Sequence, residues 1–183
     1  MEGIFKRQDC RLMAYTREEE PGVYPSGLAR SVHFAVSCGG KKYEALNNNY
    51  GVLFASADVT AESTLSTKSL KNPWVFRLAK GGWGIAAVRV TEMGLDDPDS
   101  RGKILLWTTE NFMDFTFRGL LPIGGAGQID RVRLSYDREA GKYAVVWTDE
   151  AGCWKSHGTD LTGWLLSAAV PAEADWETLS PDE

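Results

Sequence analysis

The stretch from Lys71 to Pro122 constrains the fold more than any other part of the sequence. It contains four short runs rich in β-branched and aromatic residues, bounded by glycine, proline or aspartate. Runs of this composition predict strands, and short turns between consecutive runs predict antiparallel pairing. The runs are residues 71–77, 83–90, 103–108 and 115–121. The stretch therefore predicts a four-stranded antiparallel meander, which is the unit that β-propellers repeat.

Similar runs on both sides of this stretch predict an all-β chain, because no segment shows a helical period with caps. The flanking strands are expected at residues 11–17, 31–37, 50–57, 129–136, 142–148, 153–157 and 164–168. This pattern predicts a β-propeller-like array of about three four-stranded antiparallel blades. The blade-like units span about residues 8–60, 70–122 and 128–170 of a single propeller-type domain, 1–183, within a larger chain. Residues 58–70 are polar and are expected to connect the first two units.

Composition and charge argue against several function classes. The chain is 43 % hydrophobic and 25 % charged, as is usual for a soluble globular protein. Its net charge of -5 argues against nucleic acid as a partner, since phosphate contacts require a basic surface. No apolar run approaches the roughly 20 residues of a membrane helix, so no membrane association is expected. The first residues show no signal-peptide pattern, which slightly favours a cytoplasmic location.

The three cysteines are expected to be buried free thiols. Cys10, Cys38 and Cys153 are widely spaced, and neither His33 nor His157 lies at ligand spacing from them. Zinc sites use closely spaced cysteine and histidine ligands, and structural disulfides occur mainly in oxidising compartments. The pattern therefore predicts no metal, no cofactor and a reducing compartment.

One local pattern recurs along the chain: a hydroxyl residue, a turn, and then an aromatic residue. It occurs in residues 37–43, in residues 109–115 and in Thr159-Asp160-Leu161-Thr162-Gly163-Trp164. An aromatic ring at a fixed distance after a tight turn packs one sheet on the next, as a stacked array requires.

Two segments of the sequence resemble a known family. Asn72-Pro73-Trp74-Val75-Phe76 with Gly82-Trp83-Gly84 resembles the Asp-Pro-x-Val-Phe…Gly-x-Tyr/Trp strand pair of five-bladed β-propeller glycoside hydrolases, family 43 and the related family 32. Residues 159–164 are similar to the Ser-x-Asp-Leu-x-x-Trp blade ending common there. The resemblance implies a partial five-bladed propeller that acts on or binds plant-type polysaccharide or oligosaccharide of the arabinose and xylose class.

The same resemblance directs attention to the carboxylates, because glycoside hydrolysis requires a pair of them. Asn72 stands where the resembled enzymes have an acid, and it cannot ionise. Asp130 occupies the corresponding position of the next unit and is the candidate catalytic carboxylate. The alternative is a non-catalytic carbohydrate-binding or self-assembling propeller fragment. An unclosed set of blades would associate with copies of itself or close with a missing propeller segment.

The candidate substrate-binding residues carry planar or aromatic side chains on or beside predicted strands. Such side chains suit sugar hydroxyls and ring faces when they converge. An alternative interpretation makes them ordinary strand residues between blades. The candidates are Arg30, His33, Asn72, Trp74, Arg77 and Arg131.

Two loops have compositions that suggest ligand sites but lack the required context. Residues 124–127 are glycine-rich but precede a strand and lack a lysine-hydroxyl ending, so a linker is expected there. Residues 96–100 are acidic but lack the glycine and terminal glutamate of a calcium loop, so a solvated hairpin loop is expected.

Overall fold

The computed structural model describes residues 10–40, 42–161 and 169–172. Within these ranges the chain forms one four-residue helix, α1 (Ser26–Ala29), and short 3-10 turns at Asn47–Asn49 and Pro98–Ser100. The strands are β1 (Cys10–Tyr15), β2 (His33–Cys38), β3 (Glu44–Ala45), β4 (Asp58–Val59), β5 (Leu65–Ser66), β6 (Lys68–Arg77), β7 (Trp83–Thr91), β8 (Lys103–Thr109), β9 (Thr116–Pro122), β10 (Arg131–Asp137), β11 (Lys142–Asp149), β12 (Gly152–Gly158) and β13 (Val170–Pro171).

Each sheet follows chain order. The sheets are β1-β2-β3, the hairpin β4-β5, and the two four-stranded sheets β6-β7-β8-β9 and β10-β11-β12-β13. The predicted all-β fold and its four-stranded antiparallel meanders are confirmed. Within the described part of the chain, no helix is long and apolar enough to cross a membrane.

The chain divides into two compact units. The first comprises Met1–Pro73 with Arg89–Asp97, and the second comprises Trp74–Val88 with Pro98–Glu183. In the first unit, Phe34 and Ala35 of β2 are buried. Val32, which directly precedes β2, and Leu70 of β6 are also buried. Burial of such side chains is the main favourable term in forming each unit.

The second unit shows the alternation expected of sheets with one buried face. In β10, Val132 and Leu134 are buried, and in β11 Tyr143, Val145 and Trp147 are buried. Their neighbours in each strand are more exposed, because successive side chains of a strand point to opposite faces. The sequence alternation of these strands therefore sets which face joins the core.

Strand β7 departs from this alternation, since every residue from Trp83 to Val90 is buried. The strand lies between β6 and β8 in its sheet, and near-continuous apolar runs are typical of strands buried on both faces. Gly84 permits close packing here, because a Cβ at this position would overlap the ring of the buried Phe76.

The expected strand at residues 50–57 is wrong. Only Leu53 pairs, through an isolated bridge to Val32. The third strand of the first sheet is instead β3, in which Glu44 pairs with Val36 of β2 and Ala45 pairs with Ala35. Three consecutive asparagines, Asn47–Asn49, have φ between 51° and 61° and turn the chain immediately after β3. Residues 58–70, expected as a plain connection, contain the hairpin β4-β5 and the start of β6.

The hydroxyl-turn-aromatic pattern has a clear role at Thr109. The Thr109 Oγ1 accepts hydrogen bonds from the backbone N–H groups of Asn111, at 3.3 Å, and Phe112, at 3.0 Å. Phe112 then packs edge-on against Trp83, with ring centroids 5.4 Å apart. The hydroxyl satisfies backbone donors of the turn. The ring that the turn delivers to the core is Phe112 and not the predicted Phe115, whose centroid lies 6.2 Å from that of Phe112. The equivalent Trp164, and the strand expected at 164–168, lie outside the described residues.

The expectation of free thiols is wrong for two of the cysteines. Cys10 and Cys38 face each other across β1 and β2 and form a disulfide. Cys153 is a free thiol. The two cysteines are 28 residues apart in the sequence, so their spacing did not indicate a pair. The antiparallel register of β1 and β2 brings them together.

Replacement of Gly84 by alanine is expected to destabilise the protein by about 1–3 kcal/mol, because overpacking a core forces side chains and backbone to shift. The matched control is Gly27→Ala, since a Cβ on Gly27 meets no atom within 4 Å. Urea unfolding of both variants measures the difference. Equal losses of stability in the two would contradict the close packing of Gly84 on Phe76.

Loss of the disulfide in a Cys10→Ser/Cys38→Ser variant is expected to lower the free energy of unfolding by about 3–4 kcal/mol, because the closed loop no longer restricts the unfolded chain. Reductant should lower the stability of the native protein by a similar amount and leave that of the double variant unchanged. Cys153→Ser serves as the control and should behave as the native protein. Insensitivity of the native protein to reductant would show that the cross-link does not form.

Candidate functional site

Arg30 connects two loops of the first unit. Its Nη1 donates to the Ser26 hydroxyl, at 2.5 Å, and to the backbone carbonyl of Glu92, at 2.9 Å. Its guanidinium also lies close against Gly94, where a Cβ would come within 2.8 Å of Cζ. Arg30 therefore holds the turn after β7 to the loop containing α1. Its predicted role in substrate binding stays a prediction.

His33 is fully buried at the start of β2. Its Nε2 lies 3.2 Å from the Ser31 Oγ and 3.4 Å from the Leu28 carbonyl oxygen. Ser31 is also fully buried, and its hydroxyl donates to the same Leu28 carbonyl at 2.5 Å. Because both side chains are inaccessible, this serine–histidine pair supports the packing of the loop, and burial lowers the pKa of His33 below its ordinary 6.5.

Aromatic and polar side chains surround His33, and we call them the Tyr15 cluster: Tyr15, Arg17, Tyr24, His33 and Asn49. The imidazole centroid lies 5.5 Å from that of Tyr15 and 5.9 Å from that of Tyr24. The Tyr15 hydroxyl donates to Asn49 Oδ1 at 2.6 Å. The Arg17 guanidinium lies 3.9 Å from the centre of the Tyr24 ring and donates to the Asn49 carbonyl at 3.3 Å.

Part of the Tyr15 cluster is buried, and the rest, which we call its rim, is partly exposed to solvent. His33 and Tyr24 are buried, whereas Tyr15, Arg17 and Asn49 are half-buried. The Tyr24 hydroxyl accepts a hydrogen bond from the backbone N–H of Gly51 at 3.3 Å, which fixes that ring. The rim groups therefore present a ring edge, a planar cation and an amide from a rigid support.

Asn72, the other candidate in this unit, lies in β6 with a φ of 50°, in the left-handed region that asparagine tolerates better than most residues. Its neighbour Leu70 donates its backbone N–H to the Arg30 carbonyl at 3.1 Å. Asn72 is half-buried, and it cannot supply a proton or a nucleophilic oxygen anion.

In the second unit, arginines cover the indole faces that could have stacked on a sugar. The Arg133 guanidinium lies 3.8 Å from the centre of the Trp74 ring, whose Nε1 donates to the Leu134 carbonyl at 2.9 Å. The Arg77 guanidinium lies 3.3 Å from the centre of the Trp83 ring. Burial, with a smaller effect of nearby Arg131, lowers the pKa of Arg133 to about 10. Cation–π packing is thus an observed role of Trp74 and Arg77.

Asp130, the candidate catalytic carboxylate, is exposed at the start of β10. Its Oδ2 lies 3.8 Å from the Arg131 Nε, and the two side chains are 56 % and 55 % exposed. An exposed ion pair of this kind contributes little to stability. The roles predicted for Asp130 in catalysis and for Arg131 in binding stay predictions. Among the described residues, no three histidine, cysteine or acidic side chains gather as a metal site would require.

A second group of side chains in the first unit was not predicted from the sequence. We call it the ion cluster: Asp58, Lys68, Arg89 and Asp97. The Arg89 Nε lies 2.6 Å from Asp97 Oδ2, and the Lys68 Nζ lies 3.0 Å from Asp97 Oδ1. Asp97 is fully buried, so the expectation of a solvated acidic loop at residues 96–100 is wrong at this position. Two buried cations require buried anions, since an unpaired interior charge costs several kcal/mol.

Signals for both groups were present in the sequence. Arg89 is the single charged residue in the apolar run from Trp83 to Val90, which indicates a buried cation with acidic partners elsewhere. Tyr15 and Arg17 lie two residues apart at the end of a predicted strand, which places them on one face. Their partner Asn49 could not be identified from spacing, because 34 residues separate it from Tyr15.

Comparison with known proteins shows the fold. No family model and no curated protein matches the sequence. The chain is similar to the solved structure of the GH32 beta-fructofuranosidase BmSUC1 of Bombyx mori, with a TM-score of 0.52 and 14 % identity, over 88 % of this chain and 34 % of that chain. A sucrose complex of a mutant of that enzyme gives a TM-score of 0.49 and 14 % identity, over 83 % of this chain and 32 % of that one.

The chain thus spans about a third of the length of the first of these structures. The likeness supports an all-β, propeller-like fold. The narrower assignment to family 43 stays a prediction.

The stability of the protein is expected to fall as the pH falls below about 6.5, because the unfolded chain then binds a proton that buried His33 resists. The slope from this one group is at most about 1.4 kcal/mol per pH unit. A His33→Gln variant should flatten the part of the profile that lies below about pH 6.5. Urea unfolding at each pH measures this, and an unchanged slope in His33→Gln would contradict the burial effect.

Proposed function

We propose that this chain is a carbohydrate-binding module on a glycoside-hydrolase-like propeller fold, and that it binds plant-type oligosaccharide of the arabinose and xylose class. The observation that carries the proposal is the Tyr15 cluster. It holds a half-buried tyrosine, a half-buried arginine and a half-buried asparagine against a buried histidine and a second, buried tyrosine.

These groups match the chemistry of a neutral sugar. Sugar hydroxyls accept hydrogen bonds from guanidinium and amide donors, and the apolar face of a sugar ring packs on an aromatic ring. The cation–π contact of Arg17 with Tyr24 and the hydrogen bond of Tyr15 to Asn49 hold the groups in place before a ligand arrives. A preorganised site loses less side-chain entropy on binding, which favours affinity.

Binding without cleavage is favoured by the carboxylates that the structure describes. Asn72 stands where the resembled enzymes have an acid, and Asp130 is exposed beside Arg131. Asp58 and Asp97 are held in ion pairs with Lys68 and Arg89. The other predicted contributors to the sugar site stay predictions: Arg30, Asn72, Trp74, Arg77 and Arg131. Self-association, or closure with a missing propeller segment, also stays a prediction.

Hydrolysis is the second candidate function. It is favoured by the similarity of the fold to that of a beta-fructofuranosidase. In this case Asp130 would supply one carboxylate, and its partner would come from elsewhere in the protein.

Isothermal titration with arabinose and xylose oligosaccharides tests the binding site. The Arg17→Ala variant is expected to bind at least about tenfold more weakly, because it loses charge-assisted hydrogen bonds and the contact that holds Tyr24. Arg11→Ala, which removes the same charge from an exposed position of β1, should retain native affinity. Equal affinities of the two variants would exclude the Tyr15 cluster as the site.

Sugar release from aryl-arabinosides and aryl-xylosides, measured in parallel, separates the two functions. We expect binding with no release. Release that disappears in Asp130→Asn would replace the binding proposal with the hydrolase.

A further inference from the structure

The ion cluster contains two cations that both contact two carboxylates, one buried and one partly exposed. Lys68 on β6 and Arg89 on the neighbouring β7 have side chains only 7 % and 6 % exposed. Each contacts both Asp58 and Asp97. Because the charges balance only with both acids present, the loss of either acid leaves an uncompensated buried cation.

Asp97 is the carboxylate that stays bound to Lys68 and Arg89. It is fully buried, and its two carboxylate oxygens face Lys68 and Arg89 at 3.0 and 2.6 Å. The preceding residue, Asp96, pairs with Val90 through a β-bridge, which anchors this acid beside Arg89. A carboxylate so enclosed is not accessible to a ligand from solvent.

Asp58 differs in both exposure and support. Its side chain is 40 % exposed, and it contacts the Arg89 Nη1 at 2.9 Å and the Lys68 Nζ at 3.6 Å. It belongs to the hairpin β4-β5, whose paired residues are Asp58 with Ser66 and Val59 with Leu65. Val59 and Leu65 are 72 % and 71 % exposed, so the hairpin buries little apolar surface to hold it in place.

We propose that Lys68 and Arg89 form a carboxylate-binding site that Asp58 occupies from within the chain, and that the carboxylate of an acidic sugar competes with it. The Asp58 oxygens mark where the ligand oxygens would lie, and the exposed side of Asp58 gives the ligand its approach. Asp97 neutralises one cation, so the site retains one net positive charge for a singly charged carboxylate. The sugar part of this proposal rests on the proposed function, whereas the anion part does not.

The test compares Asp58→Ala with Glu62→Ala, which removes an exposed acid from the same hairpin. The probes are free glucuronate, a xylo-oligosaccharide bearing one glucuronic acid, and the neutral xylo-oligosaccharide of equal length, each titrated calorimetrically at fixed ionic strength. Asp58→Ala is expected to bind both acidic probes about tenfold more tightly than the native protein, because an internal competitor has been removed. Glu62→Ala should match the native protein on all probes.

The neutral probe keeps the two proposals distinguishable, because it reports on the Tyr15 cluster and should bind all three proteins equally. Unchanged affinity of Asp58→Ala for free glucuronate would overturn the carboxylate site. A gain for free glucuronate without a gain for the acidic oligosaccharide would overturn its assignment to an oligosaccharide ligand.

Stability gives a second measurement if Asp58→Ala folds poorly. Glucuronate should raise its thermal midpoint towards the native value, and glucose at the same concentration should not, because only the carboxylate replaces the lost anion. Equal midpoints in the two sugars would also overturn the site.

Discussion

The ion pairs of Arg89 are the interaction on which the first unit most depends. Strand β7 is buried from Trp83 to Val90, and Arg89 is its single charged residue. A guanidinium keeps its charge in any protein interior, so it must be matched by anions that also lose their hydration. Asp97 and Asp58 supply them, and Lys68 balances the second negative charge. A strand that could have been held by apolar contacts alone is thereby tied to the hairpin β4-β5 and to the loop that follows β7.

Arginine has a different role in the second unit. Arg77 and Arg133 lie over the rings of Trp83 and Trp74, and the Trp74 indole also donates to the Leu134 carbonyl. These contacts join side chains of neighbouring or distant strands. They also cover aromatic faces that would otherwise suit a sugar ring. Arg17 covers the Tyr24 ring of the first unit in the same way, so the proposed site relies on the Tyr15 ring as its aromatic surface.

The sequence predicted strands β6 to β12 well because their signals are local. Runs such as residues 83–90 and 142–148 have strand composition, and Gly82 and Gly141 adopt the positive φ values that their hairpin turns require. The prediction was poorer for residues 50–57. Their composition also suits a strand, but the asparagine turn at Asn47–Asn49 directs the chain so that only Leu53 meets Val32. The composition of a segment does not show which edge of a sheet still has unpaired backbone groups for it to pair with.

The amino-acid sequence by itself determined the all-β architecture and the four-stranded meanders, because strand period and turn chemistry act over a few residues. Only the tertiary structure decided which side chains meet across long separations. It paired Cys10 with Cys38, brought Asn49 to Tyr15 and Arg17, and placed Asp58 and Asp97 on Lys68 and Arg89. Each of these contacts depends on strand register and loop path, which are set by the packing of a whole unit.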